Sequence, residues 1–136
     1  MRLVILGSGT AIPSGTRSSA GFWLEGVGFR VRLDCGSGTV HAMARHRLDW
    51  KRLRHQFISH FHIDHVGELP ALLFGFRVGM PEGRAEPLTL LGPAGLRRLI
   101  EGWSSIYRYD FRALPVPVEV QELAPGSAVE LAPGAV

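Results

Sequence analysis

Cysteine is almost missing from this sequence. Cys35 is the one thiol in 136 residues, so no internal disulfide can form. Lysine is as scarce, with Lys51 alone against fourteen arginines. No apolar run approaches the roughly 18–20 residues of a membrane span. The run near the start, Leu3 to Leu6, is too short for the apolar segment of a secretory signal and reads instead as a first buried strand. These shortages exclude a disulfide-stapled secreted domain and a helical membrane protein, and the expected location is the cytoplasm.

What is present suits one globular domain. Hydrophobic residues make up 46% and charged residues 20% of the chain. Charge is uneven: residues 1–57 carry a formal +6 and residues 58–136 carry −3. A basic half favours an anionic partner such as RNA or a phosphoester. Arginine-rich, lysine-poor usage that reflects genome base composition is the alternative reading.

Local patterns outline the elements. "RLVILG" (2–7) is a strand and residues 8–19 a polar loop. "AGFWLEG" and "GFRVRLDCG" form a hairpin around residues 26–28. In its second arm Phe29, Val31 and Leu33 alternate with Arg30 and Arg32, which predicts a sheet with one wet face. A short helix follows over 37–49, with Ser37 or Thr39 near its start, then a strand over 54–60. Residues 66–79 read as a helix with Pro70 in its first turn. A strand (87–93) and a helix (93–107) come next, the helix with Leu96, Leu99, Ile100 and Trp103 on one stripe. Residues 116–123 and 128–131 read as strands, and the pentamer "ELAPG", at 122–126 and 130–134, closes each with a Pro-Gly turn. The second turn leads into no partner strand, so the sequence reads as interrupted inside a hairpin.

The stretch "FISHFHIDHVGELPALL" (57–73) sets His60, His62, Asp64 and His65 within six positions. At a strand end His60 and His62 share a side, and Asp64 and His65 follow from the turn into a helix. One pair could hold one metal ion and the other pair a second, about 3.5–4 Å away, as in sites that hydrolyse phosphoesters. Imidazole and carboxylate donors suit zinc, with manganese or iron as alternatives.

His-x-His-x-Asp-His is the signature of the metallo-β-lactamase superfamily. With "LGSGTAIPSGTRSSAGFWLE", "LDCGSGT" and "LLGPAGLRRLIE", the chain resembles the N-terminal part of ribonuclease Z and its relatives from about residue 2 to 107. The resemblance implies half of an αβ/βα sandwich, a mixed sheet with flanking helices. It implies that His60 and His62 ligate one metal and Asp64 and His65 the other. Asp64 would also orient or deprotonate the attacking water, and a metal-bound hydroxide would attack the phosphodiester. Ile63 stands where ribonuclease Z usually has Gly, and "GSG" (36–38) where it often has Gly-Glu-Gly. The superfamily's later ligands have no match, since no histidine follows His65.

Residues 1–136 are therefore expected to be the N-terminal half of one metallo-β-lactamase-fold domain, with a C-terminal half or a second chain completing the site. Such a half should expose an apolar sheet face, and a homodimer is one way to cover it. The expected function is a metal-dependent, ribonuclease Z-like phosphodiesterase acting on RNA or a small phosphodiester. The alternatives are a hydrolase of a lactone, thioester or aryl sulfate, and a non-catalytic RNA- or partner-binding module.

Other residues carry secondary expectations. Asp34 either orients a ligand histidine or bonds its own turn. Cys35 reads as a small buried hydrophobe. Arg45, Arg47, Lys51, Arg52 and Arg54 surround Trp50 and are candidate RNA contacts, though a solvated connection explains them too. Glu68 reads as a helix N-terminal acid.

Overall fold

The computed structural model describes residues 1–131. One mixed sheet holds six strands in chain order: β1 (Arg2–Gly7), β2 (Gly21–Gly26), β3 (Phe29–Leu33), β4 (His55–Phe57), β5 (Leu88–Gly92) and β6 (Val118–Glu122). The first three are antiparallel, and β3 to β6 run parallel. Each parallel pair needs a crossover. The crossovers carry helices α1 (Thr39–Arg45), α2 (Ile63–Val66), α3 (Leu69–Gly79) and α4 (Leu96–Tyr107).

Strand order explains the layering. From β3 onward each strand is added on the same side of the last. Right-handed crossovers in one direction put every helix on one face. The core lies there: Trp23, Leu88 and Leu90 of the sheet meet Met43 of α1, Phe76 of α3 and Ile100 of α4, all fully or almost fully buried. Pro70 sits in the first turn of α3, where a missing N–H costs little. On α4 Leu96 and Ile100 are buried, and Leu99 and Trp103 pack against the core edge.

β3 lacks the wet face that its alternating arginines predict, since Val31 and Arg32 are both buried. Val4, Trp23, Arg32, Gln56 and Leu90 are in register across five strands and face the helices. Arg32 is therefore fully buried, and its Nη2 donates to Thr39 Oγ1 at the start of α1. The alternate residues, among them Leu3, Ile5, Phe22, Leu24, Leu33 and Phe57, form an apolar face that no helix among the described residues covers. Leu3 and Ile5 are 59% and 58% exposed, so β1 is an edge strand rather than a buried one. Alternation marks two faces, but crossover handedness decides which face is covered.

Residues 128–131 are not a strand, since β6 has no further ladder partner among the described residues. The first Pro-Gly pair does form a turn, with Gly126 at φ 84°. The second lies outside the described residues. No helix among the described residues is long and apolar enough to cross a membrane.

Candidate metal centre

β4 delivers the histidine stretch to the sheet edge. The strand direction persists one residue beyond β4, where Ile58 N–H donates to Leu91 O at 2.7 Å. His60 then lies in a loop, and His62, with extended backbone, precedes the first turn of α2. His60 and His62 thus belong to the loop and helix cap rather than to the strand. Asp64 and His65 come from α2 itself.

The structure brings these side chains together. The His60 and His62 rings meet edge to face with centroids 4.7 Å apart, and His60 and His65 lie 4.0 Å apart. His65 Nε2 is 3.6 Å from Asp64 Oδ2. As the side chains stand, no three His, Cys, Asp or Glu groups among the described residues converge into a formed metal cage.

Behind the histidines stands a hydrogen-bonded support. Asp34, at the end of β3 with φ 58°, places Oδ2 2.8 Å from His65 Nδ1. Its Oδ1 accepts the Ser59 N–H at 2.8 Å, and its Oδ2 accepts the Ser59 hydroxyl at 3.0 Å. The Ser59 oxygen lies 3.0 Å from His60 Nδ1. Because that hydroxyl gives its proton to Asp34, it accepts from the His60 Nδ1–H. The network assigns the Nδ1–H tautomer to both rings and leaves Nε2 of each as the lone-pair nitrogen.

Backbone contacts fix α2 against the loop after β3. Cys35 N–H donates to His65 O at 2.6 Å, and Glu68 N–H donates to Cys35 O at 2.9 Å. A side chain at Gly36 would collide with the carbonyl of Asp64, so glycine is required for this approach. The Cys35 thiol is fully buried. Burial pushes it up to about 11, partly offset by the Arg32 guanidinium. It is a neutral packing group under neutral conditions.

Glu68 reaches away from the histidines. Its carboxylate accepts N–H bonds from Gly38 (2.7 Å) and Val40 (2.8 Å). It thereby caps α1, whose start has no side-chain cap of its own.

The basic stretch divides. Arg45, in the last turn of α1, lines a cavity that also includes Asp64. Arg47, Lys51, Arg52 and Arg54 come before β4, at the end of the strand opposite His60. Arg54 pairs with Glu86 at 3.5 Å. Trp50 packs edge-on against Phe76, with centroids 5.3 Å apart, under Lys51. Sequence reasoning passed over Ser59, the capping role of Glu68 and Arg17, which shares the cavity with Arg45 and Asp64. A hydroxyl directly before the first motif histidine was the available signal for Ser59.

Comparisons with known proteins agree with this architecture. Ribonuclease Z of Methanosarcina acetivorans is 32% identical over 130 residues, covering 96% of this chain and 41% of that protein. The crystal structure of human tRNase Z, short form, superposes with a TM-score of 0.79 at 31% identity, over 92% of this chain and 46% of that one. The metallo-β-lactamase fold protein YhfI from Bacillus subtilis superposes with a TM-score of 0.74 at 18% identity, over 94% of this chain and 48% of that one. The fold is that of the metallo-β-lactamase superfamily, in its ribonuclease Z-like branch. A family model described as "Anti-Pycsar protein Apyc1" matches residues 1–92, and the chain belongs to that family. The chain spans about two fifths of the length of the curated relatives it matches, 41% for the Methanosarcina enzyme.

Proposed function

We propose that residues 1–136 form the N-terminal half of a single metallo-β-lactamase-fold hydrolase domain, and that the parent protein is a metal-dependent phosphodiesterase of the ribonuclease Z kind. The observation that carries this is the Asp34–His65 contact at 2.8 Å, with the Ser59–His60 contact beside it. A carboxylate behind a histidine is the arrangement that orients a metal-ligating imidazole. The residues therefore fit the group. His60 and His62 would hold one ion, Asp64 and His65 the other, and zinc suits the donors best.

When bound, the metal lowers the pKa of water and withdraws charge from phosphoryl oxygens. The chain's own residues prepare for that chemistry. Asp34 and Ser59 hold His65 and His60 in one tautomer. Asp64 is positioned at the mouth of the cavity to orient water or take its proton. Gly36 lets α2 approach closely enough to set Asp64 there. The motif offers two protein ligands per ion where catalytic zinc usually takes three. We assign the rest to a C-terminal half or a second chain, in keeping with the share of its relatives that this chain spans. The names of those relatives, ribonuclease Z and tRNase Z, support RNA as the substrate. The lone buried thiol supports a cytoplasmic location.

The test pairs metal content with turnover of a bis-aryl phosphate and of RNA, using the longer parent protein and its His62→Ala variant. Metal bound by the parent, with both hydrolyses lost in the variant, is expected. Added salt should depress RNA cleavage steeply and leave the small substrate almost untouched. Unchanged hydrolysis by His62→Ala would reject the reading.

A further inference from the structure

Arg32 is a charge placed against stability. Its side chain is fully buried on the helix-facing side of β3. Among the described residues it has no ion-pair partner, and its Nε and Nη1 atoms have no hydrogen-bond acceptor. An unpaired, partly unsatisfied guanidinium in a core disfavours folding. Its neighbours in register, Trp23 and Leu90, show that apolar side chains pack well on the same face. Features that cost stability collect where function requires them.

The bonds that Arg32 does make are specific. Its Nη2 donates to Thr39 Oγ1, and the Thr39 hydroxyl donates in turn to the carbonyl of Gly36. The Glu68 carboxylate lies 3.5 Å from the same Thr39 oxygen. That carboxylate also takes the N–H groups of Gly38 (2.7 Å) and Val40 (2.8 Å). Guanidinium and carboxylate thus bracket one hydroxyl, and together they hold the loop 34–38 from both sides.

The loop is the seat of α2. Cys35 N–H donates to the carbonyl of His65 at 2.6 Å. The next residue, Gly36, lies against the carbonyl of Asp64, too close for a Cβ. Two consecutive loop residues therefore touch two consecutive candidate ligands. A displacement of Gly36 displaces Asp64 and His65 with it.

We propose that Arg32 is a positioning residue for the metal centre, acting through Thr39 and Gly36 on the backbone of Asp64 and His65, with Glu68 as its counter-charge across the Thr39 hydroxyl. The proposal rests on the hydrolase reading above for the role of those two ligands. The chain of contacts itself lies within residues 32–68 of this chain.

The test compares Arg32→Met, Thr39→Val and the double variant with the unaltered chain. Methionine fills similar length without charge or donors. In the metal-free chain, the Cys35 and Gly38 amides of Arg32→Met should exchange about tenfold faster. The amides of β5 should keep their protection, and the urea midpoint should hold or rise, because an unpaired buried charge has been removed. Thr39→Val should release the same two amides. The double variant should release them no further, since both substitutions cut one link. Thr39→Ser keeps the hydroxyl and should match the unaltered chain. In the longer parent protein, Arg32→Met should weaken metal binding about tenfold, read by chelator competition, and lower kcat with KM unchanged.

Unaltered exchange at Cys35 and Gly38 overturns the proposal. So does faster exchange that β5 shares, which marks Arg32 as a stabiliser of the core alone. If Arg32→Met fails to fold, Arg32→Lys, which keeps the charge and loses the fork, decides by the same exchange pattern. An inactive parent whose metal affinity still falls in Arg32→Met defeats the hydrolase reading and upholds the positioning role. An active parent indifferent to Arg32→Met defeats this proposal alone.

Discussion

His65 Nδ1 and Asp34 Oδ2 lie 2.8 Å apart, joined across 31 positions of sequence. One residue closes β3 and the other sits in the first turn after β4, so the contact exists only because those strands are parallel neighbours. The same carboxylate also takes both donors of Ser59. Removing it should do two things. Asp34→Ala should lower metal affinity of the completed site about 10–100-fold, as loss of an outer-shell partner does. It should also destabilise the fold by about 1–3 kcal/mol, because the Ser59 donors lose their acceptor. Asp34→Asn keeps an acceptor and should fall between. Competition with a chromophoric chelator reads the first effect and urea unfolding the second.

Ser59 links the two halves of the histidine cluster. Its oxygen is 3.0 Å from His60 Nδ1 and 3.0 Å from Asp34 Oδ2. Ser59→Ala should leave His60 free to exchange tautomers while His65, still held by Asp34, stays fixed. Ser59→Thr should restore the His60 pattern. Long-range nitrogen–proton NMR of the histidine rings in metal-free protein distinguishes these cases. A His60 tautomer indifferent to Ser59→Ala would rule out the link.

Glu68 joins α3 to α1 through two backbone donors, Gly38 and Val40. Glu68→Ala should cost about 1–2 kcal/mol, the size of a lost helix cap. Glu68→Gln keeps one acceptor oxygen and should cost less. Thermal melts of the three proteins settle the order. Loss of amide-exchange protection should concentrate in the first turn of α1.

Cys35 gives the fold an alkaline limit. Its thiol rises from 9.0 to about 11, chiefly through burial, so folding favours the neutral form. That contribution is whole below pH 9.0 and is lost as pH climbs through about 11. Between these limits stability should fall by up to about 1.4 kcal/mol per pH unit from this group. Urea midpoints compared at about pH 8 and about pH 11 should show a steeper fall for the parent than for Cys35→Ala. The folded thiol should also resist alkylation near neutral pH, where the urea-unfolded chain reacts.

The histidine cluster was legible in the sequence because its members are close in the chain. Spacing alone brings His60, His62, Asp64 and His65 to one place, and the apolar run before them marks a strand leading to it. Asp34 was harder, since its partner is distant and a turn aspartate looks the same. Arg32 was misread for a different reason. Period-two alternation says that β3 has two unlike faces, but the covering of one face depends on where α1 passes over the sheet. A guanidinium under a helix, bonded to Thr39, is a tertiary outcome that no local window contains. The expected strand over 128–131 failed similarly, because a short, mostly apolar segment becomes a strand only beside another. Glu68 was read as an acid near its own helix start, whereas the helix it caps is α1. Trp50 shows the reverse case: its basic neighbours suggested an RNA contact, while its ring packs against Phe76 in a T-shaped pair.

The identity of strand order and chain order has a consequence for biosynthesis. No strand has to be inserted between two others, so each can dock on an existing edge as it leaves the ribosome. Asp34, Ser59 and His65 all precede β5, and their bonds need only β3, β4 and α2. The histidine scaffold can therefore assemble while the later strands are still being made. Throughout that interval the uncovered side of the sheet, with Leu3, Ile5, Phe22 and Leu24, is a sticky surface on a nascent chain.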